Sequence, residues 1–219
     1  MHTNIYVFLI AALLFLSLPT RCQTYNGGGG AIPDNGPQVA FPVSVSGLPG
    51  VINSSFGLET VCINITHTYV GDLSIKLQAP DGTTVNLVMN IGGGGNNFTN
   101  TCLNTGSPNP ITSVGAPFTG SFSPMGSMGN VNNGQNGNGT WNLLVQDNVG
   151  SDDGDVINFS LTFGNNPALP FSFGSSNLPL VIINTSGNTI QDEPKVMAQM
   201  GIIYNGVGVP NFPTDPFNN

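Results

Sequence analysis

Apolar and polar side chains alternate with a period of two along most of this chain, and few architectures other than an all-β one can accommodate that. Val39, Phe41, Val43 and Val45 alternate with small or polar residues. From Glu59 to Thr68, Val61, Ile63 and Ile65 fall on one side, and Cys62, Asn64 and Thr66 on the other. Leu73, Ile75 and Leu77 oppose Ser74, Lys76 and Gln78 in the same way. Val85, Leu87 and Met89 follow, then Trp141, Leu143 and Val145, then Phe159, Leu161 and Phe163. Such alternation marks strands with one buried face. No segment up to Gly164 has helical periodicity. Asn, at 29 residues, and Gly, at 30, supply the turns, since both tolerate left-handed backbone. Pro80-Asp81-Gly82-Thr83 is a strong turn signal between two of the strands. Short antiparallel strands joined by Gly/Asn turns predict a jelly-roll β-sandwich of two antiparallel sheets.

Charge narrows the function classes. Asp, Glu, Lys and Arg make up 6% of the chain, against roughly 25% in an ordinary domain. A coiled coil or solvated helical bundle needs far more charge on its outer faces. Three basic residues against 11 acidic ones give a net charge of -8. Nucleic-acid binding depends on clustered Lys and Arg that replace counterions, so it is excluded.

Residues 1–22 read as a signal peptide. Ile5 to Leu18 is an apolar run broken only by Tyr6 and Ser17, too short to span a membrane, and Pro19 ends it. The n-region, Met1-His2-Thr3-Asn4, carries no Lys or Arg. A lipoprotein reading through Cys22 fits poorly, because Pro19-Thr20-Arg21 is not a run of small uncharged residues. The expectation is a secreted or cell-surface protein with no membrane span after cleavage. Cleavage leaves Cys62 and Cys102, and an even count in an exported chain suggests a disulfide, with two buried free thiols as the alternative. One histidine and two distant cysteines lack zinc-site spacing. Residues 23–37 read as a Gly-rich linker, 38–164 as the β-sandwich, 165–177 as a second linker, and 178–219 as the start of a second, truncated domain. In that last stretch Leu180 to Ile183 reads as a strand, and Ile190 to Tyr204 as a turn of helix or an edge strand.

Catalytic chemistry is hard to place on this sequence. His67 would be the single histidine left after cleavage, and no G-x-S-x-G elbow accompanies it, so a structural role at a strand end is expected. Gly92 to Gly95 has the glycine content of a phosphate loop but no Gly-Lys-Ser/Thr, and reads as a flexible hairpin. Four of the 11 acids, Asp147, Asp152, Asp153 and Asp155, crowd into the segment DNVGSDDGD. Their mutual repulsion would be relieved by a hard cation with oxygen ligands, which points to Ca²⁺ held by Asp147, Asp152 and loop carbonyls. Asp72 would join them if its turn lies at the same end. A solvated acidic hairpin is the alternative.

Several blocks together resemble a known family. His67-Thr68-Tyr69-Val70-Gly71-Asp72-Leu73-Ser74-Ile75 with Ala79-Pro80-Asp81-Gly82-Thr83 is similar to the P domain, or P/Homo B domain, of proprotein convertases. So are Ala116-Pro117-Phe118-Thr119-Gly120 with Pro124, and Asn138-Gly139-Thr140-Trp141-Asn142-Leu143 with Val145-Gln146-Asp147 and the closing Phe159-Ser160-Leu161-Thr162-Phe163. The resemblance implies a jelly-roll β-sandwich that accompanies subtilisin-like catalytic domains and stabilises or targets an attached domain. It also implies calcium in some members, with Asp72, Asp147 and Asp152 at the acidic positions of the pattern. Cys62 and Cys102 depart from it, since apolar residues are more usual there. Two other functions stay open: part of a serine endopeptidase, by family association, and a glycan or cell-surface binding module. The phase that puts Trp141 with Leu143 and Val145 in the core argues against an aromatic glycan platform. Leu178 to Ile183, Thr189 to Lys195 and Met200 to Ile203 more weakly resemble the opening of the spore-coat kinase (CotH-like) family, which implies a covalently attached downstream domain.

Overall fold

The computed structural model describes residues 22–185 and 194–218. The hydrophobic part of the expected signal peptide and part of the 178–219 segment lie outside the described residues. Among the described residues twelve strands follow in chain order: β1 (Gln23–Gly27), β2 (Gly30–Ile32), β3 (Val39–Val45), β4 (Gly57–His67), β5 (Leu73–Gln78), β6 (Thr84–Met89), β7 (Phe98–Leu103), β8 (Phe118–Phe122), β9 (Gly139–Asp147), β10 (Gly154–Gly164), β11 (Leu180–Asn184) and β12 (Gln199–Ile203). The chain divides into two compact units, one ending at Pro170 and the other beginning at Phe171.

The first unit is the jelly-roll β-sandwich. One sheet runs β1-β10-β4-β7-β8, with β2 also paired to β10, and the other runs β3-β9-β5-β6. The alternation places the core between them. Val61, Ile63 and Ile65 from one sheet and Leu73, Ile75, Leu77, Trp141, Leu143 and Val145 from the other are all buried. Trp141 is fully buried, donates its indole N–H to the Gly137 carbonyl at 2.9 Å, and meets the Phe163 ring edge-on at 5.3 Å. The Pro80-to-Thr83 turn joins β5 to β6 as the sequence indicates. Gly82 takes a φ of 90°, and the Thr83 N–H donates to Asp81 Oδ1 at 2.8 Å.

Four features differ from the expectation. Residues 23–32 are not a linker: β1 and β2 line up in register against β10. The glycines there permit close approach. A Cβ on Gly29 would lie 1.7 Å from the Val156 carbonyl oxygen. At the other boundary, Ala168 is buried, donates its N–H to the Leu58 carbonyl, and accepts from Asn132 Nδ2. The sandwich therefore continues past 164. Gly92 to Gly95 is not a hairpin, because β6 and β7 belong to different sheets. That segment crosses between the sheets and is held by Gly71 N–H to Gly93 O and Val70 N–H to Gly95 O. Finally, β7 and β8 form a parallel pair, the exception to two otherwise antiparallel sheets.

In the second unit, β11 and β12 form a two-stranded antiparallel sheet. Asn211 is buried and its amide donates to the carbonyls of Ser176 and Leu178, pinning the segment before β11. Ile203 is buried, while Val181, Ile183 and Met200 are exposed. The strand expected at Leu180 to Ile183 is present, and of the two options for Ile190 to Tyr204 the edge strand holds over Gln199–Ile203.

Candidate functional site

His67 is the last residue of β4, and it stays in phase with Val61, Ile63 and Ile65, so it points inward. Asp147 is the last residue of β9 in the opposite sheet. The sandwich closes where these strands end, because Gly154 of β10 pairs with His67 and Leu73 of β5 pairs with Asp147. His67 Nε2 lies 3.3 Å from Asp147 Oδ2, with both side chains fully buried. A nitrogen facing a carboxylate carries the proton, so Nε2–H donates to Asp147. Nδ1 then accepts the Tyr69 N–H at 3.2 Å in the neutral ring, or donates to the Tyr69 carbonyl at 2.9 Å in the imidazolium.

A hairpin over Asp147 to Gly154, the alternative to a cation site, would join two neighbouring strands. The segment instead crosses between the sheets, since β9 and β10 are not neighbours. That crossing carries the acids to the end of β4. Thr68 Oγ1 donates to Asp152 Oδ1 at 2.7 Å and accepts the Asp153 N–H. Asp34 accepts the Ser151 N–H, and Asp147 Oδ1 accepts that of Val149. Asp72 sits at the start of β5, at the same end, and its carbonyl accepts from the Asn148 backbone and side chain. Burial pushes the Asp72 carboxyl above the ordinary carboxylate value. The nearby charges of Asp147 and Asp152 raise it further, and His67 opposes them.

The structure thus brings Asp72, Asp147 and Asp152 into one electrostatic neighbourhood, with the His67 ring set against Asp147. Thr68, Tyr69, Asn148 and Asp34 were not foreseen as part of the cluster. Only the inward phase of His67 hinted that the β4 end belonged to it. Among the described residues, no three His, Cys, Asp or Glu side chains converge as a metal-holding group. An ion at this end therefore needs loop carbonyls beside the carboxylates. Asp147 is already engaged by His67 and Val149, which leaves Asp72 and Asp152 as the freer ligands. Both ring nitrogens of His67 are occupied by main chain and carboxylate, so the ring braces two loops rather than facing a substrate.

Cys62 and Cys102 lie elsewhere, directly opposite one another on β4 and β7, with sulfurs bonded at 2.05 Å and Cα atoms 4.0 Å apart. The alternation marks no strand around Cys102. β7 escaped notice because a bulge at Asn100, whose φ is 48°, breaks its period: Phe98, Thr101 and Leu103 are the buried residues.

Comparison with known proteins places this arrangement in context. Residues 59–163 match the family model of the proprotein convertase P-domain. The chain is 32% identical over 133 residues to leupeptin-inactivating enzyme 1 of Streptomyces exfoliatus, covering 60% of this chain and 24% of that protein. It is 32% identical over 142 residues to the transglutaminase-activating metalloprotease of Streptomyces mobaraensis, covering 62% of this chain and 15% of that protein. The match thus spans a quarter or less of each relative. Among solved structures, the Aeromonas sobria serine protease matches with a TM-score of 0.37 alone and 0.40 in its complex with a chaperone. Identities are 18% and 19%, and both matches cover 66% of this chain and 26% of that one. No helix among the described residues is long and apolar enough to cross a membrane.

Proposed function

Since residues 59–163 are a proprotein convertase P-domain, we propose that this chain is a secreted, noncatalytic module that stabilises or targets a covalently attached enzymatic domain. The observation that carries this reading is the engagement of His67. Its ring is buried, with Nε2 on Asp147 and Nδ1 on Tyr69, so the residue best suited to acid–base work is committed to holding the sandwich shut. The relatives support a protease-class partner, because the shared segment is a small part of chains named as a leupeptin-inactivating enzyme and a metalloprotease.

A graft tests it. The matched segment of leupeptin-inactivating enzyme 1 is deleted, or replaced by residues 22–170 of this chain. The graft is expected to restore the yield and unfolding temperature that the deletion loses, while this chain alone hydrolyses no peptide. A graft that performs no better than the deletion removes the stabilising role. Peptide hydrolysis abolished by His67→Ala removes the noncatalytic one.

A calcium ion belongs to the same reading. Burial first, and then the charges of Asp147 and Asp152, raise the Asp72 carboxyl, and an oxygen-seeking cation held by Asp72, Asp152 and loop carbonyls, with Asp147 beside it, would offset that repulsion. Binding stabilises by mass action, by about 2.7 kcal/mol at a hundredfold excess over Kd. The unfolding midpoint should rise with millimolar calcium relative to chelator. In Asp72→Asn the midpoint in chelator should be raised and the calcium response reduced. Equal midpoints with and without calcium leave the acidic crossing solvated.

A further inference from the structure

At the start of β4, far along the strand from His67, the register against β10 slips. Thr60 pairs with Thr162 and Leu58 with Phe163, so Glu59 is an extra residue. A bulge of this kind re-aims side chains. Here it turns two consecutive residues, Glu59 and Thr60, away from the core, and both are half-buried. They open onto a cleft of about 430 Å³, walled also by Asn104, Thr105, Pro167 and Leu169. That volume is in the range of small-ligand sites.

The carboxylate is seated rather than loose. Glu59 Oε1 accepts the Asn166 N–H at 2.7 Å. Gly164 makes room for it, since a Cβ there would lie 2.3 Å from Oε1 and 3.0 Å from Oε2. The Cys62–Cys102 bond ties β4 to β7 two residues from Thr60 and two from Asn104, which fixes the spacing of the walls. Among the described residues, no basic side chain lines the cleft, and Glu59 is its one charged group. Thr60, Asn104 and Thr105 add oxygen acceptors, while Pro167 and the exposed Leu169 offer apolar surface.

We infer that this cleft binds a basic side chain, a guanidinium or ammonium on an aliphatic stem, presented by a partner polypeptide. The cation pairs with Glu59, its remaining N–H groups meet the Thr60, Asn104 and Thr105 oxygens, and the stem lies along Pro167 and Leu169. Charge-assisted bonds to a partly desolvated carboxylate favour this ligand over a neutral one, and the net charge of -8 steers cations to the protein.

The test titrates the ¹⁵N-labelled chain with N-acetyl-arginine amide, and in parallel with its neutral citrulline counterpart. Saturable shifts are expected at residues 59–60, 104–106 and 166–169 with the arginine probe, and none with citrulline. Glu59→Gln, which keeps an oxygen for the Asn166 N–H, should weaken the arginine probe at least about tenfold. Thr105→Val should weaken it less, and Asp155→Asn, at the exposed opposite end, should leave it unchanged. Equal response to citrulline, an unaltered Glu59→Gln titration in a well-dispersed spectrum, or shifts spread over the acidic surface would each overturn the assignment.

Discussion

Two side chains show how far single residues carry the fold. Trp141 is fully buried, with its one polar atom satisfied by Gly137 and its ring set against Phe163. Replacing it by Ala removes a large apolar volume and leaves a cavity, so Trp141→Ala is expected to lower stability by about 3–5 kcal/mol in denaturant titrations. Asp81 works at the surface. Partial burial pushes its carboxyl up, but hydrogen bonds with Asn133, Thr83 and Gln135 outweigh this and hold it below the ordinary carboxylate value. A depressed carboxyl contributes stability above its unfolded-state pKa, and that contribution is lost as pH falls through the folded value. Urea midpoints measured from neutral pH into acid should therefore fall less steeply for Asp81→Asn than for the parent chain. An identical acid limb in the two proteins would mean that the turn does not depend on this charge.

At the level of elements, the sheets are joined by crossings where local sequence suggested hairpins. The Gly92-to-Gly95 segment and the acidic segment after Asp147 both pass from one sheet to the other. The second of these crossings is what sets Asp147 against His67. The β4–β7 pair carries the Cys62–Cys102 bond, which closes a loop with a sequence separation of 40. In the chain-entropy account such a loop restricts the unfolded state by about 4 kcal/mol. The double variant Cys62→Ala/Cys102→Ala is expected to lose about that much, and reducing agent should destabilise the parent chain but not the variant. Two free thiols in the mass of the purified protein would refute the pairing.

For the whole molecule, the limits of the sandwich are wider than its alternating core. β1 and β2 cover β10 from the N-terminal side, and Ala168 closes over β4 through Leu58 and Asn132. A fragment covering residues 22–170 should unfold cooperatively and at a clearly higher temperature than one covering 38–164, which leaves β10 as an exposed edge. Equal melting temperatures would return residues 23–32 to the status of a linker. The low charge content allows this build, because the outer faces are solvated by Asn, Thr and Ser instead of by Lys and Glu.

Period-two alternation determined the fold class and the inward faces of β3, β4, β5, β9 and β10, and the residue types of Pro80 to Thr83 determined the turn there, because each rests on contacts within a few residues. The same phase put His67 inward. Three things escaped it. β7 and β8 were hidden, since a left-handed Asn100 interrupts one pattern and Phe118 and Phe122 are the only buried residues of the other. The strand order was undetermined, so a segment between two strands read as a hairpin when it spans both sheets. The end at which Asp72 meets Asp147 and Asp152 could not be known without that order. Burial of a face is a local property of a strand, whereas which strand ends share a rim depends on pairings between residues as far apart as His67 and Asp147, and only the tertiary structure sets those.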